Sequence, residues 1–141
     1  STTGAPALRK LVDLIRARER GAADAERPHW LTVRGQVHQE LGRRASRLAL
    51  YDLRDTLEAI RAPLPVGFLA AAAAVGDASC LTPLASAWVA AAGDDRWWRA
   101  HLAEAFQAIA RREGVTRRHP AIRKILARWP QTGTLVAMAK K

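Results

Sequence analysis

One helical pattern in this chain recurs at a fixed interval. In its clearest copy, the positions that form one stripe of a helix are Trp98, Leu102, Ala105, Phe106 and Ile109. The same positions one interval earlier hold Leu64, Phe68, Ala71, Ala72 and Val75. One more step gives Trp30, Arg34, Val37, His38 and Leu41, where three positions keep the pattern and two are polar. We call this spacing, from position 30 to 64 and from 64 to 98, the 34-residue register. Because a lone helix pair cannot bury its apolar face, a repeat of this length predicts helix pairs stacked into a solenoid.

The two polar positions have two explanations. Arg34 and His38 suit a polar first repeat that caps the stack. Alternatively, the helix is rotated so that Val33 takes the inward place of Arg34. The sequence leaves both explanations open.

Composition and helix boundaries favour an all-α fold. Hydrophobic residues make up 49% of the chain and aromatic residues only 6%, so the core is built mainly from Ala, Leu, Val and Ile. Apolar spacing predicts seven helices. The first helix spans residues 7–20, and the second runs from Pro28 to near Gly42. The third follows Ser46 as its N-cap, and the fourth ends at Gly76. Asp77 or Ser79 caps the fifth helix, and the sixth runs over residues 96–113 with Asp94 or Asp95 as its cap. The seventh helix ends at Pro130.

These helices predict one domain over residues 7–130. A flexible segment, 1–6, precedes it, and a tail, 131–141, has room only for a helical stub. The fourth helix pair therefore looks incomplete, and the sequence leaves open whether the chain is a fragment of a longer protein.

The segment from Gly76 to Glu113 resembles a HEAT repeat. Its first helix carries the leucine-rich stripe of that family at Leu81 and Leu84, and a turn containing aspartate leads into a second helix rich in Ala and Leu. Preceding units match more loosely. The Val-Arg pair that the family often places early in the second helix occurs only in the first unit, as Val33 and Arg34.

This resemblance implies a right-handed α-solenoid of about three HEAT-like hairpins plus a C-terminal helix. In such proteins the second helices usually line a concave side, which commonly binds another protein. Some relatives bind nucleic acid through basic surfaces. A few are enzymes, including DNA glycosylases and metal-dependent hydroxylases, and the latter type would show His-Glu pairs that this chain lacks.

No catalytic or metal-binding pattern is evident in the sequence. The four histidines, His29, His38, His101 and His119, lie far apart without metal-ligand spacing. No serine stands in the strand-turn-helix setting that a hydrolase nucleophile uses. We therefore predict a non-enzymatic protein with no cofactor and no small-molecule substrate.

Paired arginines are the main candidate binding residues. Arg43 and Arg44 recur two repeats later as Arg111 and Arg112, so a stack would place both pairs at the same end. Such a ridge could hold phosphates, together with basic residues nearby in sequence, which are Arg117, Arg118, Arg123, Lys124 and Arg128. The alternative is that these arginines cap the C-terminal ends of helices and bind no ligand.

Trp97 is the other candidate. Adjacent helical residues point about 100° apart, so Trp97 and Trp98 cannot face the same core. The repeat places Trp98 inside, which leaves Trp97 either packed on a neighbour or available at a contact site.

The net charge of +10 favours an acidic partner. We predict a scaffold that binds a protein. The alternative is a nucleic-acid-binding module, which would contact only the phosphate backbone because no base-reading motif is present. No apolar run is long enough to span a membrane, and no signal peptide is evident. The single Cys80 fits a reducing compartment, so a cytoplasmic location is expected.

Overall fold

The computed structural model describes residues 4–91, 93 and 95–137. This part of the chain is built from helices. The α-helices are α1 Ala5–Gly21, α2 Arg27–Arg43, α3 Leu50–Glu58, α4 Val66–Val75, α5 Leu81–Ala90, α6 Arg96–Arg112, α7 Pro120–Arg128 and α8 Gly133–Val136. Short 3₁₀ turns, Ala78–Cys80 and Pro130–Thr132, precede α5 and α8. The predicted all-α class is confirmed for this part of the chain.

Local capping explains several helix starts. The Asp95 carboxylate accepts a hydrogen bond from the Trp98 backbone N–H at 2.9 Å, as predicted for the start of α6, and Asp94 lies outside the described residues. Asp77 caps the 3₁₀ turn that leads into α5, by accepting from the Ser79 N–H. The prediction for Ser46 is wrong. Its hydroxyl accepts from a turn N–H at Leu48, and α3 begins only at Leu50.

The helices pack in two rows. In one row α2 packs on α4 and α4 on α6, and the short α8 also contacts α6. In the other row α3 contacts α5 and α5 contacts α7, while the Tyr51 hydroxyl donates to Asp13 at 2.6 Å and so joins α3 to α1. Contacts of α1 with α2, α3 with α4 and α5 with α6 connect the rows. Sequence neighbours are therefore paired across the rows.

The 34-residue register is visible in the packing of the first row. Leu41, Val75 and Ile109 are 2%, 5% and 0% exposed, each in the last turn or so of its helix, as the repeat predicts. The residue after Leu41 is Gly42, and α4 packs closely against it. A Cβ on Gly42 would lie 3.2 Å from the Ala71 backbone in α4.

The α2 and α4 backbones meet at two glycines. A Cβ on Gly67 would overlap the carbonyl oxygen of Gly35, so no side chain fits there. Gly35 in turn lies beside the Phe68 ring, 3.0 Å from where its own Cβ would be. This close approach fixes how α2 packs on α4.

The end of the described chain contributes to the core. Leu135 and Val136 in α8 are each 2% exposed and belong to the same apolar cluster as α5 and α6. The predicted stub is present as α8, and residues 138–141 lie outside the described residues.

Candidate anion-binding surfaces

Four buried polar side chains lie where α2 meets α3. Arg34 and His38 are each 2% exposed, and Asp52 and Thr56 are each 5% exposed. One guanidinium nitrogen of Arg34 donates to Asp52 Oδ2 at 2.8 Å and to the Thr56 hydroxyl at 2.6 Å. His38 Nε2 lies 2.8 Å from the same Asp52 oxygen. We call these four residues the polar network.

Helix α1 completes the hydrogen bonding of this network. Glu19 accepts two hydrogen bonds from Arg34, at 2.8 and 3.3 Å, in a bidentate pair. Arg16 donates to the other Asp52 oxygen at 2.8 Å and to Thr56 at 3.1 Å. In the described part of the chain, no buried side-chain nitrogen or oxygen lacks a partner. The network therefore joins three helices without leaving a buried charge uncompensated.

The charges of the network determine the protonation of Asp52. Burial alone would raise the pKa of this carboxyl group, but the hydrogen bond from His38 and the charges of Arg34, His38 and Arg16 outweigh burial and lower the pKa. Asp52 is therefore ionised at neutral pH.

The structure rules out one of the two explanations of the polar repeat positions. Arg34 occupies the inward position and Val33 is only partly buried, so the rotated helix is wrong. Arg34 lies over the Phe68 ring at 5.0 Å, where its positive charge faces the ring's negative face. The signal missed in the sequence is the i, i+4 spacing shared by Arg34 with His38 and Asp52 with Thr56, which aligns two polar faces.

A cavity opens beside the polar network. It has a volume of about 550 Å³ and lies between α1, α2 and the connection from α3 to α4. Its charged lining consists of Arg16, Arg20, Arg27, Arg34, Arg61 and Glu19. We call it the arginine cavity, and no sequence pattern indicates it because these residues are spread from position 16 to position 61.

A second cavity, of about 720 Å³, lies on the row of α3, α5 and α7. Its lining mixes the rings of Trp98 and Trp129 with charges of both signs, including Glu58, Asp95 and Arg128. This balance of charge distinguishes it from the arginine cavity.

The four arginines of the predicted ridge lie at the C-terminal ends of α2 and α6. Gly42 near the end of α2 lies against Ala71 of α4, and Gly76, just after α4, lies against Ile109 of α6. Arg47, in the turn after α2, contacts Glu113 at 2.5 Å. Arg112 donates to the carbonyl oxygens of Ala73 and Gly76 and so reaches the end of α4. The C-terminal ends of these three helices therefore share an edge. We call Arg43, Arg44, Arg111 and Arg112 the basic edge.

The arginines of this edge differ in their contacts. Arg112 caps free carbonyls, but of the preceding helix rather than its own, so capping explains its position. Arg44 and Arg43 contact Glu40 at 3.1 and 3.4 Å, and the Arg43 side chain stays 70% exposed. Arg111 is exposed.

The remaining predicted site residues lie elsewhere on the surface. Arg117 and Arg118 are exposed in the connection from α6 to α7. Trp98 is 3% exposed, as predicted, and Trp97 is 61% exposed with its ring against His101 at 4.3 Å. Trp97 stands in the first turn of α6, at the other end of that helix from Arg111. The structure therefore does not bring Trp97 together with the basic edge.

Within the described ranges, no three His, Cys, Asp or Glu side chains are grouped so that they could hold a metal ion. No helix there is long and apolar enough to cross a bilayer. No family model, curated protein or solved structure matches this chain. The HEAT-like assignment therefore rests on the residues quoted above and remains a prediction.

Proposed function

We propose that this chain is a HEAT-like solenoid that acts as a non-enzymatic binding module for an acidic protein, which it contacts through the basic edge. The consecutive packing of α2, α4 and α6 in the 34-residue register supports the solenoid. The observation that carries the binding function is the packing of neighbouring helix ends, with Gly42 of α2 beside Ala71 of α4 and Gly76 beside Ile109 of α6. It supports a common edge for Arg43 and Arg111, which end α2 and α6.

Two features of the protein surface favour a protein partner. Arginine guanidinium groups bind carboxylates in a planar, bidentate way, and Arg43 and Arg111 are exposed to do so. Leu48 and Tyr51, which follow Arg47, are 46% and 40% exposed. Arginine and tyrosine are enriched in protein interfaces.

Nucleic acid is the second candidate partner. The net charge of +10 and the exposed Arg117 and Arg118, which follow the basic edge closely in the chain, favour contact with a phosphate backbone. Such binding would fall steeply with salt and show little sequence preference.

Binding of a polyglutamate peptide, a DNA duplex and an RNA oligonucleotide, each at low and moderate salt, tests both candidates. The double variant Arg43→Ala/Arg111→Ala removes two exposed charges and keeps the Arg112 cap. We expect about a fivefold loss of polyglutamate affinity, since two exposed ion pairs at about 0.5 kcal/mol each contribute about 1 kcal/mol together.

The matched control is Arg123→Ala/Lys124→Ala, which removes the same charge from exposed positions of α7. The control should keep wild-type affinity. Equal losses in both variants would show that net charge alone drives binding, and tighter binding of DNA or RNA than of polyglutamate would favour the second candidate.

A further inference from the structure

The inner part of the arginine cavity is rigidly held. Arg34 is fixed by Glu19 and Asp52, and Arg16 is fixed by Asp52 and Thr56. Asp52 and Glu19 balance these two guanidinium groups and accept their hydrogen bonds, so the inner wall adds little excess charge to the cavity.

The rim of the cavity carries the excess positive charge. Arg20, Arg27 and Arg61 are all exposed, and among the described residues only Arg27 has an acidic contact, to Asp24 at 2.8 Å. That Asp24 side chain is itself 95% exposed, so water screens the pair. Three cationic groups around one opening attract an anion of more than one charge.

The position of Arg27 is unfavourable for the helix that carries it. It begins α2, where the positive end of the helix dipole disfavours a cation, and no acidic residue stands in that first turn. An anion in the cavity would offset this repulsion. In the unliganded protein Asp24 and the N-cap Glu26 already offset part of the repulsion, and a bound anion would add to their effect.

The size and the remaining lining of the cavity define the rest of the ligand. The cavity has a volume of about 550 Å³ and is open to solvent at its rim, so a group larger than a single phosphate fits in it. Leu31, Pro63 and Leu64 form an apolar part of the lining. An anion with an attached apolar group would contact both kinds of surface.

We propose that the arginine cavity binds a small organic phosphate, with its phosphate group at the Arg20 and Arg27 rim and its apolar part against Leu31, Pro63 and Leu64. This site is separate from the basic edge and does not depend on the function proposed above. A phosphate dianion offers several acceptor oxygens to several guanidinium groups at once, which a single carboxylate does not.

Isothermal titration calorimetry with phenyl phosphate, inorganic phosphate and phenol tests the site. We expect phenyl phosphate to bind with a Kd below about 1 mM, inorganic phosphate to bind more weakly, and phenol not to bind measurably. An oligonucleotide that carries many phosphates is a further arm. Tight oligonucleotide binding without phenyl phosphate binding would overturn the small-ligand proposal in favour of a polymer.

The double variant Arg20→Gln/Arg27→Gln removes two rim charges and leaves the polar network intact. It should weaken phenyl phosphate binding by about tenfold or more. The matched control Arg18→Gln/Lys124→Gln removes the same charge from exposed positions, one of them in the same helix turn as Arg20, and neither residue lines the cavity.

The melting temperature of both unliganded variants should stay within about 2 °C of wild type, because exposed charges contribute little to stability. The control should bind phenyl phosphate like the wild type. Equal loss of binding in the two variants, or no binding of phenyl phosphate to the wild-type protein, would overturn the proposal.

Discussion

Replacing Asp52 by Asn is the most direct test of the polar network. The carboxylate accepts hydrogen bonds from Arg16 and Arg34 and contacts His38 at 2.8 Å, all in a setting where Asp52 is only 5% exposed. An amide of the same shape keeps one acceptor oxygen but turns its N–H donors toward other donors. We therefore expect a large loss of stability at neutral pH.

The expected loss of stability depends on the charged partners that Asp52→Asn leaves unpaired. Removing one partner of a buried ion pair costs about 3–5 kcal/mol. Glu19 still contacts Arg34, and the Arg16 side chain is 22% exposed and can reach water, so the lower end applies. A loss of about 3 kcal/mol corresponds to a fall in melting temperature of roughly 10 °C for a domain of this size.

Urea unfolding followed by tryptophan fluorescence measures the difference. The matched control is Asp55→Asn, an exposed carboxylate on the same helix, which should change stability by no more than about 0.5 kcal/mol. If Asp52→Asn is no less stable than this control, the network contributes nothing and the reasoning is refuted.

The pH dependence gives a second measure of the same contribution. Burial raises the pKa of Asp52, but the His38 hydrogen bond and the Arg34, His38 and Arg16 charges lower it below its ordinary 3.8. A lowered folded-state pKa stabilises the fold at pH values above the unfolded pKa, and this stabilisation is lost as pH falls through the folded-state value. The stability difference between wild type and Asp52→Asn should therefore be full at neutral pH and narrow below about pH 4.

Three further predictions test the packing. Ile109→Ala should cost about 2–5 kcal/mol as a truncation of a fully buried side chain, and an unchanged melt would show that the 34-residue register is wrong. Gly67→Ala should cost about 1–3 kcal/mol because its Cβ meets the Gly35 carbonyl, whereas Gly21→Ala, with open space around it, should be neutral; equal melts would contradict the close approach. Cys80 is 0% exposed and burial raises the pKa of its thiol, so a thiol reagent should modify it far more slowly in the folded protein than in urea, and equal rates would place the thiol at the surface.

Much of the local structure was predictable from the sequence. Apolar spacing, proline and glycine located the helices to within a few residues, and the 34-residue register correctly placed Leu41, Val75 and Ile109 inside. The error at Ser46 has a local cause, since a serine can accept from the backbone of a turn as well as from a helix start.

The binding surfaces were less predictable. The spacing placed Arg43 and Arg111 in equivalent positions, but it could not show that Arg112 caps the end of α4. The arginine cavity combines side chains from separate helices and a connection, and no short motif contains them. Whether an arginine is exposed or paired depends on which distant helix packs beside it.

The sequence by itself determined the helices and their order, because a helix forms through hydrogen bonds and side-chain contacts between residues three or four positions apart. Only the tertiary structure decided that Arg34 is buried and paired with carboxylates. Its partners Glu19 and Asp52 are 15 and 18 positions away, so their meeting depends on the crossing of α1, α2 and α3. That crossing is set by side-chain packing across whole helix faces, with the close approach of Gly35 and Gly67 fixing α2 against α4. Whether a charged residue in an apolar stripe is exposed at the surface or buried in a hydrogen-bonded network thus depends on contacts that sequence spacing does not encode.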